Sequence, residues 1–197
     1  MHFTSILLAG IIASASCSAY SQETAPYPPA PADVSNVATL VSNDEPGERL
    51  VINGTVYQSD GRTPLSGFVL YLYQTDATGV YNKTDRKWWR PRIRGWVKTD
   101  KDGRYEIRTI KPGSYPGSRN PAHIHVIVKT EVNEPDWIDD YLFEGDPFLT
   151  DKDRHRMESD GRFSPVMRLV RDQDGTLRCA RDIRIPSVKM EHPPPLR

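Results

Sequence analysis

The sequence has few of the features that mark nucleic-acid-binding or membrane-spanning proteins. Lys plus Arg and Asp plus Glu both number 26, so the formal net charge is zero. The excess of positive charge that nucleic acids or anionic membranes attract is therefore missing. No glycine-rich nucleotide-binding loop occurs, and no window has a sustained 3.6-residue apolar period. We expect no nucleic-acid partner and no nucleotide cofactor.

Long hydrophobic runs are also scarce, and the one apolar run at the N-terminus is too short to span a bilayer. Residues Ile6–Ala13 are apolar and are followed by small residues up to Ala19, whereas a spanning helix needs about 20 apolar residues. The pattern predicts a signal peptide over residues 1–22 and an exported protein, either periplasmic or secreted.

Cysteine is the scarcest chemistry-bearing residue, with Cys17 and Cys179 alone. Cys17 stands where a lipoprotein carries its acylated cysteine. A lipid anchor is the less favoured alternative, because Ser14 replaces the large aliphatic residue expected three positions earlier. Cleavage near Ala19 or Gln22 would remove Cys17, so we expect no intrachain disulfide, even in an oxidising compartment.

The rest of the chain has the composition of a β-protein. Residues 23–46 are Pro-rich and predict an extended linker, residues 47–188 predict one domain, and residues 189–197 a loose tail. Asp-Gly recurs at 60, 102, 160 and 174 between strand-like runs, as in hairpins. Short strands joined by regular turns predict an all-β fold, an antiparallel β-sandwich with long loops that carry a metal site. The charged run 151–156, which contains His155, predicts a solvated loop.

His123-Ile124-His125 is a candidate metal-binding motif. It lies in the β-branched run 122–128, and residues i and i+2 of a strand point to the same face. Imidazole binds Zn, Cu, Fe and Ni about equally well, and two histidines on a solvated face would show the same pattern. Tyr115, held between Pro-Gly and Pro, favours Fe(III), since phenolate is a hard anionic donor and a free tyrosine has a pKa of about 10.

Four ordered motifs between Gly47 and Pro186 resemble the intradiol ring-cleavage dioxygenases, with the protocatechuate 3,4-dioxygenase branch the most similar. The motifs are, in order, 70–81, 95–116, 121–125 and 141–147. The resemblance implies one non-haem Fe(III) bound by Tyr81, Tyr115, His123 and His125. It also implies a catecholic substrate and O2, with ring cleavage between the two hydroxyl-bearing carbons to a muconate-type product. Tyr115 would be the ligand that leaves and accepts a proton.

Two positions depart from the family pattern, and both concern the substrate. Asn120 stands where the family usually has Arg, with Arg119 one residue earlier, and Asp140 stands where Gln is common. The resemblance therefore implies that Arg119, Asn120 and Asp140 are substrate-binding positions with altered charge. Two alternatives stay open: a non-enzymatic transthyretin-like sandwich that binds a small aromatic or a partner, and a Cu or Zn protein that uses the same histidines.

Overall fold

The computed structural model describes residues 29–82, 91–128 and 136–185. The predicted signal peptide, Cys17 and the predicted tail lie outside these residues. Within them the chain forms twelve strands and one α-helix, and none of the helices there is long and apolar enough to cross a membrane. The strands are β1 Val37–Thr39, β2 Arg49–Tyr57, β3 Val69–Gln74, β4 Ile93–Lys98, β5 Arg104–Ile110, β6 His123–Val128, β7 Asp136–Trp137, β8 Tyr141–Phe143, β9 Val166–Met167, β10 Val170–Arg171, β11 Leu177–Ala180 and β12 Ile183–Arg184; the helix is α1 Asp151–Ser159, followed by a 3-10 turn at Gly161–Phe163.

The strands form two six-stranded sheets that face each other. The first sheet has the order β1-β5-β2-β11-β10, with β12 beside β2. The second, here called the site sheet, has the order β4-β3-β6-β8-β9, with β7 beside β6. The predicted all-β sandwich is confirmed, but it is not purely antiparallel: β1 with β5, β11 and β12 with β2, and β8 with β9 are parallel pairs.

One core lies between the sheets. Leu50 and Ile52 of the first sheet and Leu72, Ile124 and Val126 of the site sheet are all 0% exposed and belong to it. Successive strand residues point to opposite faces, so Tyr73 and His125 lie on the other face of the site sheet. That outer face is itself largely covered, by a second cluster of Tyr71, Tyr73 and Ile127 with Tyr81 and Trp96.

The predicted boundary of the linker at residue 46 was wrong. Residues 37–39 form β1, which pairs in parallel with β5. The backbone N–H of Glu106 donates to the carbonyl of Asn36 at 2.8 Å, and the N–H of Leu40 donates to that of Arg108 at 2.9 Å. Ala38 is buried in the main core. The residues Val-Ala-Thr suit a strand. However, three residues beside a Pro-rich stretch are too few to show the alternation of apolar and polar residues that identifies a strand in a sequence.

The predicted solvated loop at 151–156 was also wrong, because these residues form the first two turns of α1. Thr150 caps the helix: its side chain accepts from the N–H of Asp153, and the Asp153 carboxylate accepts in return from the N–H of Thr150. No residue of α1 is buried, so the sequence has no apolar period to reveal the helix. Asp160-Gly161, expected in a hairpin, instead links α1 to the 3-10 turn.

Candidate metal centre

The four residues predicted as metal ligands converge at one point on the outer face of the site sheet. Nε2 of His123 lies 3.0 Å from Nε2 of His125. The Tyr115 hydroxyl lies 3.1 Å from the first of these nitrogens and 3.2 Å from the second. The Tyr81 hydroxyl lies 2.9 Å from Nε2 of His125 and contacts the Tyr115 hydroxyl. Atoms that bind one ion at about 2.0–2.2 Å are roughly 3 Å apart, so these spacings suit a single ion.

The histidines are held by the site sheet. His123 and His125 occupy the first and third positions of β6, so both side chains project from the same face. Tyr73 is the β3 partner of His125, and its ring stacks on the imidazole with centroids 4.5 Å apart. On the other edge of β6, His123 pairs with Leu142 of β8. A strand on each side therefore fixes the two imidazoles.

The tyrosines come from two loops that are packed against each other. In the first loop, the Asp76 carboxylate accepts from the N–H groups of Thr78 and Val80, which shapes the turn before Tyr81. In the second, the N–H of Gly113 donates to the carbonyl of Asp76 at 2.9 Å, two residues before Tyr115. A Cβ on Gly113 would stand 2.6 Å from the Ala77 carbonyl oxygen. Only glycine permits this approach, which brings the two phenols together.

The hydrogen bonds of the two Nδ1 atoms determine which nitrogen of each imidazole faces the proposed metal position. Nδ1 of His123 lies 2.7 Å from the carbonyl oxygen of Pro121, and Nδ1 of His125 lies 2.9 Å from Oδ1 of Asp140. Both partners are acceptors, so each Nδ1 carries the proton and each Nε2 presents a lone pair. The Tyr81 and Tyr115 hydroxyls lie within hydrogen-bond distance of these Nε2 nitrogens and can donate to them in the metal-free protein, whereas a cation at the same point would be bound by both lone pairs. The donor set of two imidazole nitrogens and two phenol oxygens fits a ferric ion.

Burial favours the neutral forms of Tyr81, Tyr115 and His123 in the absence of a metal. Burial, followed by the hydrogen bond with Tyr115, raises the pKa of Tyr81 far above its usual range. Burial also raises the pKa of Tyr115 and lowers the pKa of His123 below its usual value. The histidine is therefore held in its ligating form, whereas the phenols lose their protons only to a strongly acidic cation such as Fe(III).

An open cleft of about 370 Å³ gives access to these ligands. It is lined by Tyr115, Asn120, Pro121, His123, His125, Asp139, Asp140, Leu142, Asp153, Arg156 and Pro165. Of the predicted substrate-binding residues, Asn120 and Asp140 line this cleft. Arg119 is not among the lining residues, and its guanidinium carbon lies 5.9 Å from the ring centre of Phe148.

Three charged residues of the cleft were not predicted. Arg156 of α1 binds Asp139 through two hydrogen bonds of 2.9 and 2.5 Å, and its Nε donates to Asp160 at 3.0 Å. Asp153 is the capping partner of Thr150. The Thr-x-x-Asp spacing and the Arg156–Asp160 spacing of four residues were the available signs of a helix here.

Comparisons with known proteins also match this chain to dioxygenases. Residues 21–173 match a family model described as Dioxygenase. The protocatechuate 3,4-dioxygenase beta chain of Burkholderia cepacia is 33% identical over 130 residues, which cover 60% of this chain and 55% of the relative. Catechol 1,2-dioxygenase 1 of Acinetobacter lwoffii is 32% identical over 130 residues, 56% of this chain and 41% of the relative. The chain thus spans about half the length of these curated relatives.

A solved structure covers more of the fold. The dioxygenase domain of a dioxygenase carbohydrate-binding protein fusion from Streptomyces sp. SirexAA-E superposes with a TM-score of 0.58 at 26% identity, covering 82% of this chain and 94% of that one. The matches agree with the resemblance carried by the four sequence motifs, and they do not favour the transthyretin-like alternative.

Proposed function

Because the chain belongs to the intradiol ring-cleavage dioxygenase family, we propose that it is a non-haem Fe(III) enzyme that cleaves catechols with O2. The scissile bond joins the two hydroxyl-bearing carbons, and the product is a muconate-type dicarboxylate that contains both oxygen atoms. One observation carries the proposal: two phenol oxygens and two imidazole nitrogens converge beside an open cleft, each of them within about 3 Å of at least two of the others.

Tyr81, Tyr115, His123 and His125 would hold the iron. When bound, Fe(III) would supply the Lewis acidity that activates a chelated catechol toward O2. The two tyrosines have different surroundings: Tyr115 lines the cleft, whereas Tyr81 is not among the lining residues. The Tyr115 phenol oxygen is therefore the one that an entering catechol reaches. With iron bound, it would be held as a phenolate, and the phenolate would accept a proton from the substrate. Tyr81 stays in place behind it.

The charges of the cleft favour neutral catechols over carboxylated ones. Among the described residues that line it, Asp139, Asp140 and Asp153 are anionic and Arg156 is the one cation, and its guanidinium is already bound to Asp139. Asn120 offers hydrogen bonds but no positive charge. Losing a charged hydrogen bond costs about 1.5–3 kcal/mol, or tenfold or more in binding. Catechol, alkylcatechols and hydroxyquinol should therefore react with a kcat/KM about tenfold or more above that of protocatechuate.

Export of the protein is a further part of the proposal. It rests on the apolar run 6–13 and the small residues after it, which predict a mature chain starting between Ser16 and Glu23. Mass spectrometry of secreted material tests this. An intact Met1 would contradict export by this route, and a diacylglyceryl mass on Cys17 would support the lipoprotein alternative.

The activity is tested on purified, iron-loaded protein. Tyrosinate-to-Fe(III) charge transfer should colour it reddish, the band should shift when catechol is added, and catechol should consume one O2 per ring cleaved. Tyr115→Phe, supplied with enough iron to fill a site of lower affinity, should change the colour and slow turnover, because the proton acceptor is lost. A protein that stays colourless with iron would reject the proposal, and a tight colourless zinc complex would favour the alternative metalloprotein.

A further inference from the structure

The geometry points to Asp140 as a positioning residue that fixes the ring of His125 and increases its donor strength toward a bound metal. This inference rests on the proposed metal centre, but it concerns a residue that contacts neither metal nor scissile bond. The contact that carries it is the hydrogen bond of 2.9 Å between Nδ1 of His125 and Oδ1 of Asp140. His123, His125 and Asp140 present ligand atoms within 4.8 Å of one another. However, the carboxylate bonds the ring nitrogen opposite to Nε2, which assigns it to orienting the histidine rather than to binding the ion.

The two histidines of the centre therefore differ in their supporting groups. His123 donates its Nδ1–H to the neutral carbonyl of Pro121, whereas His125 donates to an anionic carboxylate. A carboxylate acceptor draws the Nδ1 proton more strongly, which increases the electron density at Nε2 and strengthens the metal–nitrogen bond. His125 is thus the stronger of the two imidazole donors.

Asp140 is held in place from both sides along the chain. Its neighbour Asp139 is bound by two hydrogen bonds from Arg156 of α1. Its other neighbour, Tyr141, is 0% exposed, and its hydroxyl lies 2.7 Å from that of Tyr105. The hydroxyl of Tyr105 in turn donates to the carbonyl of Arg181 at 2.6 Å. These contacts fix the backbone at Asp140, so its carboxylate is presented to His125 in one orientation.

The charge count explains why a carboxylate suits this position better than an amide. A ferric ion with Tyr81 and Tyr115 as phenolates leaves one net positive charge, and Asp140 balances it. The usual residue of the family here, glutamine, would offer a neutral acceptor. Net charge at a buried centre is costly, so loss of the carboxylate should both weaken metal binding and make the ion more electron-poor.

The test compares Asp140→Ala and Asp140→Asn with the parent. Asn keeps an oxygen acceptor for Nδ1–H but lacks the charge, and Ala lacks both. Iron affinity, measured by chelator competition, should fall about 10–100-fold in Asp140→Ala and less in Asp140→Asn. The tyrosinate charge-transfer band of the substrate-free protein should move to lower energy in Asp140→Asn, because the ion becomes more electron-poor. A purely structural role would leave the band of a folded Asn variant in place.

Asp151→Asn is the matched control, since it removes an equally charged side chain at the exposed start of α1. It should change neither the affinity nor the band. Circular dichroism checks that each variant is folded. If Asp140→Ala does not fold, Asp140→Asn still tests the role of the carboxylate. If affinity and band in Asp140→Asn both match the parent, the inference is overturned.

Zn(II) affinity, measured on the same variants with a chromogenic chelator, separates this inference from the proposed activity. Asp140 increases the donor strength of His125 whichever ion is bound. Asp140→Ala should therefore bind Zn(II) about 10–100-fold more weakly than the parent. If the iron-loaded parent were inactive and colourless while this zinc difference held, the dioxygenase assignment would fail and the role of Asp140 would stand. Equal zinc affinities in parent and Asp140→Ala would reject the role of Asp140.

Discussion

The two sheets bury the same core but differ in what covers their outer faces. On β5 of the first sheet, Arg104 and Arg108 are exposed and Glu106 is half-buried, with an ion pair of 2.6 Å between Arg108 and Glu106. On β3 of the site sheet, Tyr71 and Tyr73 at the outward positions are buried. The first sheet has the alternation of a strand with one solvated face, and β3 is buried on both faces.

This difference favours the outer face of the site sheet as the place for the proposed ligands. The aromatic cluster on this face contains Tyr81, and burial raises the pKa of Tyr81 and lowers the pKa of His123, so that the phenol and the imidazole are both neutral without a cation. The outer face of the first sheet is solvated, where a cation must compete with water for its ligands. Substitutions on the two sheets should therefore differ in how strongly they affect metal binding.

Removing a proposed ligand on the site sheet should have the largest effect. His125→Ala should abolish iron loading under conditions that saturate the parent. The binding free energy of a structural zinc ion is about 10–16 kcal/mol. Shared among four ligands, it gives roughly 3 kcal/mol for each, which corresponds to more than a hundredfold in affinity. Metal content by elemental analysis measures it. His155→Ala is the control, since His155 is exposed on α1, and a similar iron loss in both variants would contradict the assigned centre.

Core truncations should lower stability equally in the two sheets but affect the metal only in one. Leu72→Ala and Ile52→Ala remove side chains that are 0% exposed, so each should cost about 2–5 kcal/mol in the free energy of unfolding of metal-free protein. Leu72 lies between Tyr71 and Tyr73, and Tyr73 supports His125, so Leu72→Ala alone should also weaken iron binding. Denaturant unfolding and chelator competition measure the two effects.

Val170→Ala is the control for both core variants, because this side chain is 61% exposed. It should change the unfolding free energy by no more than about 0.5 kcal/mol. Equal iron affinity in the Leu72→Ala and Ile52→Ala variants would show that the strand beneath Tyr73 has no special role.

The parts predictable from the sequence are those set by local geometry. The alternation of a strand places His123 and His125 on one face whatever the rest of the fold does. The Pro-Gly and Pro residues around Tyr115, and the glycine before Tyr81, mark the loops that bring in the phenols. The order and content of the four motifs predicted the family, which the match over residues 21–173 confirms.

The unpredicted parts depend on contacts between distant segments or on elements without an apolar pattern. The contact of Asp140 with His125 follows from the pairing of β6 with β8, in which His123 is opposite Leu142, and no local pattern gives that register. Arg156 reaches the cleft because α1 is a helix, which capping and ion pairs stabilise in the absence of buried residues. β1 depends on its pairing with β5.

The pH dependence of metal-free protein should report the covered environment of His123. Burial lowers the pKa of this imidazole, so the unfolded chain binds the proton more readily than the folded one. The contribution of His123 to stability is therefore complete above its unfolded pKa of about 6.5 and is lost as the pH falls below that value. Unfolding experiments between pH 5 and 8 should show a steeper acid loss in the parent than in His123→Asn, and parallel curves would mean that the site is solvated.

The smallest effect is expected on the solvated face of the first sheet. Glu106→Gln breaks the ion pair with Arg108, whose side chain is 57% exposed. Exposed ion pairs are worth about 0–1 kcal/mol, so the unfolding free energy should change by about 0.5 kcal/mol or less, and the change should disappear at high salt, where the pair is screened. Iron affinity should equal that of the parent, because Glu106 is on the opposite sheet from the ligands. A larger loss of stability, or any loss of iron, would mean that the outer face of the first sheet has a role in the metal centre that its exposure argues against.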